Sequence, residues 1–181
     1  MSVSTANIVT AINRREREEL SQARFDELFR LHQPRLVRSL SLMAGDREAA
    51  ADAVQEAFIR AHQRWRRVER LDDPVGWVRR VAINRIKDDR RSGRRKRDAV
   101  VRLGGRAATI GHHEINPADD ALMAHLASLP QQQRRCVVLH YVEDLSIEQI
   151  ARTLGVADGT VKSNLSDARA RLRARLEGET P

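Results

Sequence analysis

The chain has 181 residues, enough for one domain or two small ones, each with a modest core. It carries 33 Lys+Arg against 25 Asp+Glu, and its one cysteine, Cys136, excludes an internal disulfide and fits a reducing cytoplasm. The opening stretch MSVSTANIVTAINRREREEL has no long apolar core and no cleavage-type site, so neither a signal peptide nor membrane insertion is expected.

Strand-like alternation is almost absent, and helical periodicity takes its place. After an N-terminal extension over residues 1–22, a helix is predicted over about Arg24–Met43. It is apolar at Phe25, Leu28, Phe29, Leu36, Val37 and Leu40, with Pro34 marking a bend or break. Gly45 and Asp46 make a turn and a cap. A second helix, roughly Arg47–Arg66, buries Ala50, Ala53, Val54, Ala57, Phe58, Ala61 and Trp65. Asp52, Gln55, Glu56 and Ile59 are left on its other side, a face that suits protein docking or routine surface charge pairs.

The stretch VERLDDPVG reads as a loop, and a third helix follows from about Val75 to Arg91. Val78, Val81, Ala82 and Ile86 supply its packing. Arg80, Asn84, Lys87, Asp88 and Arg91 form one polar ridge, in which the cations can neutralise phosphates and the amide and carboxylate can bond base edges. Trp77 can stack on a base or anchor the helix, and core packing is the favoured role. Between Arg79 and Arg102 stand 11 basic and 3 acidic residues, a local +8 that equals the net charge of the whole chain. Because this run grows out of an amphipathic helix, a nucleic-acid partner is favoured over a merely solvated segment.

Residues 93–117 are rich in glycine and poor in large apolar side chains, and read as a flexible basic linker. A second domain over 118–177 opens with ADDALMAHLASL and continues with a helix whose first turn suits Pro130. Within that helix Cys136 reads as buried packing. Two short helices then follow. Ser146, three residues before Gln149, forms a capping-box start, Gly155 ends the first helix near Leu154, and Asp158 can cap the next. Ile147, Ile150, Ala151 and Leu154 make one apolar stripe; Val161, Leu165, Ala168, Leu172 and Leu176 make the other. The segment Ser146–Leu165 fits a helix-turn-helix presenting Thr160, Lys162, Ser163 and Asn164 to the major groove, with Arg169 and Arg171 better placed for phosphates. The fold class is all-α: two small helical domains, 23–92 and 118–177, on one tether.

These pieces, in this order, resemble a bacterial sigma factor of the sigma-70 family, extracytoplasmic-function group. The resemblance rests on DAVQEAF (Asp52–Phe58), GWVRRVAINRIKDDRR (Gly76–Arg91) and LPQQQRRCVVLHYVEDLSIEQIARTLGVADGTVKS (Leu129–Ser163). It implies a region 2-like domain followed by a region 4-like domain, and promoter DNA and core RNA polymerase as partners. Asp52, Gln55, Glu56 and Ile59 would then meet the β′ clamp helices, and the second domain the β flap. The third helix and its preceding loop would hold the −10 element, and the helix-turn-helix the −35 element. The linker, with Arg94, Arg95, Lys96 and Arg97, would run near nucleic acid inside the polymerase. Factors of this group are often held by an anti-sigma factor, which adds one more partner. Asn164 and Asp167 depart from the family's usual basic residues, so promoter specificity is not transferable.

Two other classes compete. His112, His113, Glu114, His125, Cys136 and His140 show no metal-ligand spacing, and no phosphate loop or nucleophile elbow appears, so no enzyme, cofactor or metal is expected. An autonomous helix-turn-helix regulator would explain the second domain. It would not explain why the first domain carries a basic helix of its own.

Overall fold

Local chemistry sets each helix boundary. The computed structural model describes the backbone over residues 5–102 and 117–178, and side chains over 15–89 and 122–177. Among the described residues every regular element is helical: α1 Thr5–Ala44, α2 Arg47–Gln63, α3 Trp65–Val68, α4 Pro74–Arg102, α5 Pro117–Ala127, α6 Gln131–Tyr141, α7 Ile147–Leu154 and α8 Asp158–Gly178.

Helix α1 begins far ahead of the expected Arg24 and passes through Pro34 without ending. Proline removes one backbone donor there, and the burial of Leu36, Leu40 and Met43 in the following turns holds the helix on course. The supposed extension is also tied down. Trp65 Nε1 donates to the Ser21 carbonyl at 2.7 Å, and the Ser21 hydroxyl donates to Glu69 at 2.9 Å. Phe25 meets Trp65 and Phe58 edge-on, with centroids 5.2 and 6.4 Å apart, and so links α1 to α2 and α3.

Gly45 takes φ +70° in the turn, and Asp46 accepts from the Ala49 amide at 2.9 Å to start α2. The helix expected to reach Arg66 stops instead at Gln63, because the chain turns at Arg64 to bring Trp65 inward as the head of α3. Helix α4 opens with Pro74 in its first turn, and Asp73 accepts from the Gly76 amide at 2.7 Å. A Cβ on Gly76 would lie 1.9 Å from that carboxylate, so only glycine leaves the cap intact. Helix α4 then runs past Arg91 to Arg102, into what reads from sequence as linker. Arginine, lysine and alanine favour helix, and they outweigh the Ser92–Gly93 pair, whose glycine costs about 1 kcal/mol.

In the second module the capping box is complete. Gln149 N donates to Ser146 Oγ at 3.2 Å, and Ser146 N donates to Gln149 Oε1 at 2.8 Å. Gly155 closes α7 at φ +70°. Asp158 does not cap α8 as expected. It lies inside the first turn, where its charge suits the helix dipole, and the Ala157 carbonyl accepts the Thr160 and Val161 amides at 3.0 and 3.2 Å. Val161, Leu165 and Ala168 are buried against α6 and α7, whereas Leu172 is half-buried and Leu176 exposed.

Helix α2 packs on α1 and α4, and α6, α7 and α8 form a three-helix unit. The two modules also touch. Helices α1 and α4 press against α6 and α7, and the Arg79 guanidinium donates from Nε and Nη2 to Glu143 Oε2 at 3.2 and 3.0 Å. Replacing Ser146 with alanine removes one cap oxygen from α7. It is expected to destabilise the second module by about 1 kcal/mol in urea unfolding followed by circular dichroism.

Candidate nucleic-acid and polymerase interfaces

Because α2 buries its alanines, Val54 and Phe58, its outer face falls at Asp52, Gln55 and Ile59, all exposed. Glu56 does not join them as a free group. It is half-buried between Arg85 of α4 and Arg60 of its own helix, accepting from both. The Arg85 hydrogen bond, reinforced by Arg60, holds its carboxyl below the usual carboxylate value, against a smaller opposing push from burial. Arg85 also bonds Asp89 one turn on, so four charges lock α2 to α4. The exposed part of this face therefore narrows to Asp52, Gln55 and Ile59, with Glu56 as its support.

Helix α4 divides its surface by angle. Val78, Ala82, Ile83 and Ile86 are buried, and Arg80, Asn84 and Asp88 face solvent. Lys87 is half-buried and engaged within the chain. Trp77 is half-buried and packed against the core, the anchoring role favoured from sequence. The side chains of Arg91, Arg94, Arg95, Lys96 and Arg97 lie outside the described residues, as do His112, His113 and Glu114.

At the head of α8, Thr160, Lys162 and Ser163 are exposed, and Arg169 and Arg171 follow on the same solvent-facing helix. Asn164 is half-buried, its amide donating to the Thr160 carbonyl at 2.7 Å. That bond uses one of the two amide hydrogens and leaves the second and Oδ1 outside it. Behind this face, Val137, Tyr141, Leu172 and Leu176 line a groove of about 490 Å³ edged by Arg169, Arg173 and Glu177. Tyr141 and Leu176 are more than half exposed there, so the apolar stripe of α8 ends as an open surface.

Cys136 is fully buried, and burial pushes its thiol up to about 11, too high for a nucleophile at neutral pH. Among the described residues no three His, Cys, Asp or Glu side chains gather as a metal site, and no helix is long and apolar enough to cross a membrane.

The first module's residues 28–96 match the family described as Sigma-70 region 2, and residues 119–172 match Sigma-70, region 4. The extracytoplasmic-function (ECF) RNA polymerase sigma factor SigM of Mycobacterium tuberculosis is 38% identical over 159 residues, covering 85% of this chain and 77% of its own length. This chain is an ECF sigma factor of the sigma-70 family. The RNA polymerase sigma-E factor of Streptomyces avermitilis is 36% identical over 156 residues, 84% of this chain and 85% of that protein. Among solved structures, the sigma factor RpoE of Bartonella quintana, in complex with the anti-sigma factor NepR, shares the fold at TM-score 0.69. It is 24% identical, covering 86% of this chain and 98% of that one. CnrH, in complex with the cytosolic domain of CnrY, gives TM-score 0.60 at 23% identity, covering 88% of this chain and 91% of that one.

As a sigma factor the protein directs transcription initiation by RNA polymerase, and sigma factors are initiation factors, not enzymes. The autonomous-regulator reading gives way, because the module it left unexplained is a sigma region. The sequence reading missed Arg79 and Arg85 in this sigma factor. Both were counted only as part of the basic run, although their spacing of six puts them on different faces of α4 from the polar ridge.

The Glu56 cluster makes a prediction with a definite sign. A carboxylate whose folded pKa is depressed stabilises the protein above its unfolded value, near 4.5, and loses that contribution as pH falls through the lower folded value. Wild type should therefore exceed Glu56→Gln in stability by a constant margin at neutral pH, and the margin should vanish in acid. Urea unfolding of both proteins across pH 2–7 checks this.

Proposed function

We propose that this sigma factor binds core RNA polymerase through the α2 face of its first module and directs initiation at promoters read by both modules. In this reading the first module, 23–92, recognises the −10 element through the polar residues of α4 read from the sequence, Arg80, Asn84, Lys87, Asp88 and Arg91, of which Arg80, Asn84 and Asp88 face solvent, with Trp77 shaping the adjoining loop. The second module, 118–177, reads the −35 element with Thr160, Lys162, Ser163 and Asn164, while Arg169 and Arg171 hold phosphates. Asp52, Gln55 and Ile59, supported by Glu56, meet the β′ clamp helices. The apolar groove of Tyr141, Leu172 and Leu176 takes the β flap. The single observation that carries the reading is that each module turns a separate, charged helix face to solvent.

The mechanism is recognition without covalent chemistry. Two weak contacts on one chain raise each other's effective concentration, so two short elements are read as one site. The −10 contact must also offset a few kcal/mol of base unstacking, and phosphate binding by the basic helix supplies part of that. The protein works in the cytoplasm, where its polymerase is. The solved relatives RpoE and CnrH were captured with NepR and CnrY, which supports an anti-sigma factor as a further partner of this chain.

Run-off transcription with purified core polymerase, with and without this protein, on a library of host genomic fragments tests the function. Discrete new start sites are expected, and their alignment would give both elements; no initiation would overturn the reading. Asp52→Ala with Ile59→Ala should weaken core binding by about 1–2 kcal/mol or more, with binding to a −35 duplex unchanged. Arg171→Ala should weaken promoter binding almost uniformly across sequences and lower the log–log salt slope by about 1, measured by fluorescence anisotropy of the holoenzyme.

A further inference from the structure

A cleft apart from the faces described above opens where α1, the start of α2 and α5 meet. Its volume is about 320 Å³, and it is lined from α1 between Gln33 and Leu42, by Arg47 of α2 and by Met123 of α5. That volume lies at the small end of those that hold organic ligands. The walls are apolar. Val37 and Met123 are half-buried beside the fully covered Leu42, with the Pro34 ring next to them.

The space exists because Ser41, which also lines it, is small. The Ser41 hydroxyl donates to the Val37 carbonyl at 2.6 Å, so its one polar hydrogen is spent within α1. It therefore offers a ligand room and no donor.

The remaining polar groups share one sign. The lining carries the Arg38 and Arg47 guanidiniums and the Gln33 amide, and it holds no carboxylate. Arg38 already takes part in a contact within the chain. Among the described residues no side chain pairs with Arg47 or with the Gln33 amide. Asp46, the residue before Arg47, spends an oxygen on the Ala49 amide as the cap of α2. One available guanidinium matches one negative charge, and its planar fork suits the two oxygens of a carboxylate. The Gln33 amide can donate a further bond. Water occupies about 30 Å³ per molecule in the liquid, so the cleft suits a body of about ten non-hydrogen atoms.

We propose that this cleft is a binding site for a small amphipathic monocarboxylate, its apolar body against Val37, Leu42 and Met123 and its carboxylate on Arg47. The body gains by leaving water, while the charge stays at the rim, where Arg47 is itself exposed, so neither ion is fully desolvated. A ligand lacking either the charge or the apolar body forfeits one of these two contributions.

Octanoate matches the size and charge and serves as the probe, titrated into the full chain and followed by amide chemical shifts. Saturable one-to-one binding is expected, with Kd about 1 mM or tighter for so small a ligand. The shifts should centre on Gln33, Val37, Leu42, Arg47 and Met123. Octanol and acetate should each bind more weakly by about tenfold or more, since one lacks the charge and the other the apolar body. Arg47→Gln should weaken octanoate binding about tenfold, the loss of one charge-assisted contact. Arg64→Gln, which removes an exposed arginine at the other end of α2, should leave it unchanged. Ser41→Leu should abolish binding by filling the cleft while the thermal midpoint holds or rises, because leucine suits a helix better than serine; this separates a filled site from a misfolded chain. Absence of saturation, equal losses in Arg47→Gln and Arg64→Gln, or full binding in Ser41→Leu would overturn the proposal. Neither polymerase nor DNA enters the titration, so a failure to initiate transcription would bear on the functional reading alone.

Discussion

Helix α4 advances 100° per residue, and from Val78 to Asp89 almost every direction around it is committed. Val78, Ala82 and Ile86 face the core of the first module. Arg79 points into the second module, Arg85 reaches back to Glu56 on α2, and Arg80, Asn84 and Asp88 remain for solvent. The core, the contact between modules, the support of the α2 face and the polar ridge are thus set by one helix in one register. A one-residue slip would turn every side chain by 100° and take each of these contacts out of line.

That register is fixed at its start. Pro74, the Asp73 cap and the close approach at Gly76 place the first turn, and Trp77 then lies against the core. The second module uses the same economy. The Ser146–Gln149 box, the left-handed Gly155 and the Ala157 start of α8 confine two helices to one crossing, which aims the exposed Thr160–Ser163 turn away from the core. Neither module needs a large core, because capping and charge pairing set what burial alone would leave loose.

Electrostatics then separates roles among similar residues. Arg79, Arg80 and Arg85 have the same chemistry and lie within two turns. One is buried on a carboxylate of the other module, one is in water, and one anchors two acids of its own module. The charge that makes the chain a nucleic-acid binder is also what fastens it. This coupling explains how a protein with few aromatic side chains holds a defined arrangement and still has cations to present.

Much of this was written in the sequence. The alanine stripe of α2, the Asp46 and Ser146 caps, the Gly155 stop and the split of α4 into core and ridge follow from local spacing, because a cap or a stripe involves residues a few positions apart. The sigma-70 resemblance came from three strings of this kind. What sequence could not show were the pairings across long separations. Glu56 meets Arg85 29 positions away, Trp65 meets Ser21 44 away, and Arg79 meets Glu143 64 away. A carboxylate on a helix face looks the same from sequence whether it points to solvent or to an arginine on another helix. Local periodicity determined which residues each helix could bury or expose; only the packing of one helix on another decided which exposed charges stayed free, since Coulomb attraction depends on distance in space and is blind to distance along the chain.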